Sequence, residues 1–108
     1  MNLGVLGMRA DRAVFDYADF TGTSFADVRF PYGSFRGAIL RNTKIQDMIV
    51  TEGNFEGADF GNVDLVNAQF LHCRLDAVKL MNTKILDKIS MAGSSLKNAQ
   101  FTNSMMKE

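Results

Sequence analysis

The sequence predicts an all-β solenoid: a chain that turns a corner every five residues and lays each coil on the one before. Two observations carry this. A large apolar residue recurs every fifth position without a miss: Phe15, Phe20, Phe25, Phe30, Phe35, Leu40, Ile45, Val50, Phe55, Phe60, Leu65, Phe70, Leu75, Leu80 and Ile85. With 46% hydrophobic residues, such a run has a chance probability on the order of 10⁻⁵. All nine Phe fall on this column once a shift of one residue is allowed for Phe101. The positions two residues earlier form a second column, with Ala13, Ala18, Thr23, Val28, Gly33, Ala38, Thr43, Met48, Gly53 and Ala58 in its first half. None of its members is charged and most are small.

Regular elements do not explain a period of five. On an α-helix five residues rotate by roughly 140°, which scatters the Phe around the axis. On a flat strand an odd step sends successive side chains to opposite faces. The period survives only if the chain turns once per five residues, with two positions pointing inward and the corner outward. Repetition then winds the chain into a solenoid whose coils rest on one another.

Ala18-Asp19-Phe20-Thr21-Gly22, Ala58-Asp59-Phe60-Gly61-Asn62 and Asn98-Ala99-Gln100-Phe101-Thr102 resemble the signature of the pentapeptide-repeat family, A-(D/N)-(L/F)-x-x. The resemblance covers nearly the whole chain. It implies a right-handed quadrilateral β-helix with four pentapeptides per coil, hence about five coils here. An internal echo agrees: Arg41-Asn42-Thr43-Lys44-Ile45-Gln46-Asp47 recurs two such coils later as Met81-Asn82-Thr83-Lys84-Ile85-Leu86-Asp87.

The 108 residues read as one domain. Residues 1–12 are expected to be a lead-in or cap lying across the first coil, because a solenoid end exposes core and unpaired backbone. Residues 13–87 are the regular coils. There the inner columns become Phe15-Phe35-Phe55-Leu75, Phe20-Leu40-Phe60-Leu80, Phe25-Ile45-Leu65-Ile85 and Phe30-Val50-Phe70, a pile of rings with no room for a ligand. Residues 88–93 carry a bulge or small loop, since the pattern resumes one residue late at Met91, Leu96 and Phe101. Residues 94–108 are the last partial coil and tail. Gly22-Asn42-Asn62-Asn82 and Asp27-Asp47-Asn67-Asp87 fall on corners, where these residue types tolerate turn geometry, and so does Pro31. The outer columns Asp16-Arg36-Glu56-Asp76 and Ser24-Lys44-Asp64-Lys84 set opposite charges above one another at most steps, so many charges are expected to satisfy each other.

Composition bounds the function. Twelve basic and twelve acidic residues give zero net charge, so no long-range pull toward nucleic acid or an anionic membrane is expected. No apolar run is long enough to span a membrane. The N-terminus lacks the charge and length of a secretory signal. One cysteine allows no internal disulfide and no cysteine metal cluster. A soluble, reducing, cytoplasmic setting is the expectation.

No catalytic, metal or cofactor constellation is expected. His72, the one histidine, falls on an outward corner above Glu52 and Tyr32, without convergent ligands or an orienting partner. Cys73 sits in the small inner column, where cysteine acts as a small hydrophobe. Nucleotide-loop, nucleophile-elbow and zinc spacings do not occur. The informative residues are apolar ones at outward positions: Ile39, Ile49, Val66, Leu71, Met81 and Leu86, with Val66 and Leu86 expected to stack. They form the candidate interface.

These features point to a non-catalytic interaction or scaffold module with a protein partner or itself as partner, joined through a coil end or an apolar patch. Two alternatives come from elsewhere. Quinolone-resistance members of the resembled family imply a DNA mimic that occupies a type II topoisomerase such as gyrase. Those members are acidic dimeric rods, whereas Asp16 to Lys84 holds nine acidic and seven basic residues here. Five coils also span only about 24 Å, roughly seven base pairs. The other alternative is the repeat module of a larger secreted effector.

Overall fold

The computed structural model describes residues 4–85 and 89–102. Its strands are β1 Gly4–Leu6, β2 Ser24–Ala26, β3 Lys44–Gln46, β4 Ile49–Thr51, β5 Asp64–Val66, β6 Ala68–Leu71, β7 Lys79–Met81, β8 Lys84–Ile85, β9 Ile89–Ser90 and β10 Gln100–Thr102. No helix occurs among the described residues. All pairings are parallel, and up to Ile85 the partners lie four pentapeptides apart, as in Phe25 with Ile45 and Ile45 with Leu65.

Four walls result. The first is the sheet β1-β2-β3-β5-β8 and the second is β4-β6-β9. The third holds single bridges along Val14-Ser34-Asn54-Arg74-Ser95. The fourth holds bridges along Asp19-Ile39-Asp59-Lys79 and the β7–β10 pair. Each wall is one pentapeptide wide, so four walls close a coil. The chain is therefore a square β-solenoid of about five turns, as the period predicts.

Many corners share one hydrogen bond. The N–H three residues beyond a core residue donates back to that residue's carbonyl, as from Ala18 to Phe15 at 3.1 Å and from Ala58 to Phe55 at 2.9 Å. The third residue of each such turn has positive φ, for example 58° at Asn42, 57° at Asn62, 62° at Tyr17 and 60° at Ala77. Asn and Gly take this conformation at low cost. Pro31 takes the second place of the Phe30–Gly33 turn. That position contributes no N–H to the ladder, while its carbonyl accepts from Arg12 N–H at 2.8 Å.

The core is the predicted pile of rings. Phe30, Phe35, Phe55 and Phe70 are fully buried. Phe35 stacks on Phe55 with centroids 4.7 Å apart and planes 1° from parallel. Phe30 meets Phe35 edge-on at 5.4 Å, and Phe70 meets Phe55 edge-on at 5.3 Å. Both arrangements suit the aromatic quadrupole. Gly33, Gly53, Ala38 and Ala58 are buried beside these rings. A void of about 10 Å³ near Leu75, Met91 and Leu96 is the size of a single water. Phe15 and Phe20 are half-buried and Phe101 is 46% exposed, because each stacks on a described coil on one side only.

One expectation needs correction, and another is narrowed. Residues 4–12 do not lie across the first coil; they are part of the winding. Val5 pairs with Phe25 in the β1–β2 ladder, Arg9 bridges Arg29, and Ala10 N–H donates to Arg29 O at 3.0 Å. Val5 and Ala10 occupy the places that Phe fills later, so the column continues with smaller residues. The one-residue slip expected at residues 88–93 is confined by the pairing to the first edge of that segment. Asp64 pairs with Lys84, in the regular four-pentapeptide register, but Ala68 pairs with Ile89 and Arg74 with Ser95, each one residue beyond it. The change falls between Ile85 and Ile89. Leu86, Asp87, Lys88 and the tail from residue 103 lie outside the described residues.

Candidate docking surfaces

With the core closed, outward positions decide what the molecule meets. Each pentapeptide has two on its wall, one before and one after the core residue, and then a corner. The N–H of the residue after the core residue is left out of the inter-coil ladder. At several positions a side-chain oxygen caps it instead. Asp19 accepts from Thr21 N–H, Asn54 from Glu56 N–H and Asp59 from Gly61 N–H, each at 3.0 Å. The Asp or Asn of the repeat signature thereby acquires a structural role, since an uncapped peptide N–H at this position is costly.

On the third wall the cap crosses between coils. Asp16 accepts from Ser34 Oγ and, at 3.0 Å, from Arg36 N–H. Asp76 repeats the device, accepting from Ser95 Oγ at 2.6 Å and Lys97 N–H at 2.9 Å. The Ser95 hydroxyl, followed by the Lys97 N–H, holds the Asp76 carboxyl below the usual carboxylate range. The Thr21 hydroxyl, followed by the Thr21 N–H, does the same for Asp19. A carboxyl with a depressed folded pKa contributes stability that is complete above its unfolded pKa of about 3.9. That contribution is lost as pH falls through the folded value. Urea midpoints measured from pH 5 down to pH 2.5 are therefore expected to fall, and Asp76→Asn should shrink that fall. An unchanged acid slope in the variant would count against this link between the last two coils.

The charge columns satisfy each other only in part. Arg36 meets Glu56 at 3.7 Å and Arg41 meets Asp59 at 2.7 Å between coils. No ion pair joins Lys44, Asp64 and Lys84 among the described residues. Exposed lysines gain little from such pairing and lose side-chain freedom.

The six candidate interface residues do not form one patch. Ile49 and Leu71 stand on the second wall in β4 and β6, both half-buried. Val66 lies at the end of β5 on the first wall, one corner away. Ile39 and Met81 stand on the fourth wall, across the tube, and Met81 is 42% exposed. Leu86 is outside the described residues, so its stacking on Val66 is too. Other large apolar residues are more exposed than most of these. Leu6, Val14 and Tyr17 are 79%, 71% and 72% exposed. Val14 and Tyr17 belong to the regular repeat, and their outward register was already readable from it.

The second wall differs from the rest. From Pro31 onward its outward residues are Pro31, Ile49, Thr51, Gln69, Leu71, Ser90 and Ala92, none of them charged. Over the same coils the first wall carries Lys44, Asp64 and Lys84, the third Glu56, Arg74 and Asp76, and the fourth Arg41, Asp59 and Lys79. His72 lies at the corner beside this wall, with its ring over Gly93. Cys73 is buried, with Sγ 3.3 Å from Val50 O. Burial pushes its thiol pKa up, opposed by a backbone hydrogen bond involving Gly53. This is the environment of a packing residue. Grouped His, Cys, Asp or Glu able to hold a metal do not occur among the described residues.

A solenoid with four such walls and this repeat defines the class. The family model for pentapeptide repeats, in eight copies, matches residues 11–47 and 51–84. The chain belongs to the pentapeptide-repeat family. Among solved structures it is similar to HetL, a pentapeptide-repeat protein involved in heterocyst differentiation regulation from the cyanobacterium Nostoc sp. strain PCC 7120. The TM-score is 0.84 at 20% identity, over 90% of this chain and 40% of that one. This chain thus spans less than half of HetL's length. It is also similar to QnrB1, a plasmid-mediated fluoroquinolone resistance protein, with a TM-score of 0.50 at 11% identity, over 94% of this chain and 73% of that one. At these identities the likeness concerns the fold. Comparison with curated proteins finds no match.

Proposed function

We propose that the chain is a non-catalytic protein–protein interaction module that docks through its second wall. The observation that carries this is the charge-free, half-apolar outer face of β4-β6-β9, with Asp47 and Glu52 at its corners. Interface centres are depleted of charge in the same way, with polar groups at the rim. Proteins of this family are generally structural or interaction modules rather than enzymes, which supports the reading.

The test is capture of a partner from the source organism on immobilised protein, repeated with Ile49→Asp and Leu71→Asp. Both side chains are outward, so the fold should persist by circular dichroism. The captured protein is expected to be lost from both variants and retained by Lys44→Glu on the first wall. Capture that survives both second-wall charges would sink the reading. Sedimentation at several concentrations covers the case in which the partner is another copy of this chain.

A further inference from the structure

The second wall is charge-free only from Pro31 onward. Its outward column before the core residue runs Arg9, Arg29, Ile49, Gln69 and Ser90, each bridged or paired to the next. Arg9 thus lies next to Arg29, one strand spacing of about 4.8 Å away. Among the described residues no other outward column sets a cation on a cation. Like charges so placed are destabilising, and the chain does little to relieve this pair. Arg9 meets Asp11 at 3.3 Å, with both side chains more than half exposed. Arg29 is exposed and has no ion pair among the described residues, although Asp27 stands at the corner before it. Arg12, at the corner that follows, lies over the Tyr32 ring at 4.6 Å and adds a third cation.

The face is therefore polarised along the tube. Arginines occupy its first two coils, and Ile49 and Leu71 follow, with Asp47 and Glu52 at the corners beside them. A carboxylate from outside is attracted at the arginine end and repelled farther along.

Size narrows the occupant. A wall presents three residues across, about 10 Å. The five rows from Arg9 to Ser90 span about 19 Å at the strand spacing. The product, about 190 Å², is far below the roughly 800 Å² per partner of a stable interface between globular surfaces. A second copy seated on this face alone is too weakly held. Six extended residues, at about 3.3 Å each, cover the same length.

We infer that the second wall binds a short extended segment of a partner protein, with an acidic residue against Arg9 and Arg29 and apolar side chains against Ile49 and Leu71. This rests on the reading of the chain as an interaction module and names the chemistry of its partner.

The probes are two N-acetylated, C-amidated hexapeptides, Asp-Asp-Leu-Ser-Leu-Ser and Lys-Lys-Leu-Ser-Leu-Ser, titrated separately into ¹⁵N-labelled protein. The acidic peptide is expected to give saturable shifts at the amides of Arg29, Ile49, Gln69 and Leu71. The basic peptide should bind about fivefold more weakly or less, and salt at about 0.5 M should shrink the difference. Arg29→Glu changes an exposed side chain, so the circular-dichroism spectrum should persist while the preference inverts. Ile49→Asp should weaken both peptides. Absent or unsaturable shifts, equal response to the two peptides, or a preference unchanged in Arg29→Glu would overturn the inference. Partner capture lost in the Ile49 and Leu71 variants, with no charge preference among the peptides, removes this inference and leaves the docking wall standing. Capture that survives those variants removes the wall, and this inference with it.

Discussion

Phe55→Ala is expected to cost about 3–5 kcal/mol, the usual loss for a buried Phe, and to move the urea midpoint far toward lower concentration. Phe55 lies in the middle coil with essentially no exposure. Its ring stacks on Phe35 at 4.7 Å, meets Phe70 edge-on at 5.3 Å and lies 5.8 Å from Phe60. Neighbours held in a ladder of inter-coil hydrogen bonds cannot collapse into the space, so the cavity term is added nearly in full. Total stabilities of domains are only about 5–15 kcal/mol, so one truncation removes a large share. Urea unfolding followed by circular dichroism measures it. A double-mutant cycle with Phe35→Ala should show coupling of about 0.5–1.5 kcal/mol from the stacked pair. A cost below about 1 kcal/mol, well under the usual range, would mean that the ring column is not what holds the coils together.

The second large effect is expected from adding bulk. A Cβ placed on Gly53 would lie 2.5 Å from Val50 Cγ1 and 3.0 Å from the carbonyl oxygen of Gly33. Val50 can turn away; the carbonyl cannot, because it accepts from Asn54 N–H at 3.0 Å in the ladder. Gly53→Ala is expected to cost about 1–3 kcal/mol and Gly53→Val the upper end or beyond. Gly57 is the control. Its φ is 71° and open space surrounds its Cα, so Gly57→Asn should be close to neutral, like the Asn already at corners 42 and 62. Equal losses at Gly53 and Gly57 in parallel melts would show that backbone freedom, rather than room for the rings, explains the inner glycines.

The sequence announced the ring column because Phe has one use in this chain: filling the tube. Where that use is met by smaller residues, the signal fades. Val5 and Ala10 stand in the same column, yet they read as a loose lead-in because small apolar residues also occur in loops. The slip was visible as a missed beat at Ser90, but pairing alone locates it before Ile89. The Asp or Asn that precedes some core residues, as at Asp19, Asn54 and Asp59, looked like family signature or surface charge. Only the geometry shows it capping an N–H that the ladder omits, as Asp59 does for Gly61. The apolar outward residues were legible as a set and not as a surface. Ile39 and Met81 share a composition class with Ile49 and Leu71, but a wall assignment is needed to see that the tube lies between them.

The constant one-coil offset between paired backbones has a consequence for how damage spreads. Each turn of the chain touches the turn below and the turn above and nothing else. A lesion in the middle therefore disconnects two stretches that have no other means of supporting each other. One near either edge of the described coils peels away locally and leaves the remainder intact. The molecule should tolerate injury according to its distance from the midpoint, much as a stack of coins does.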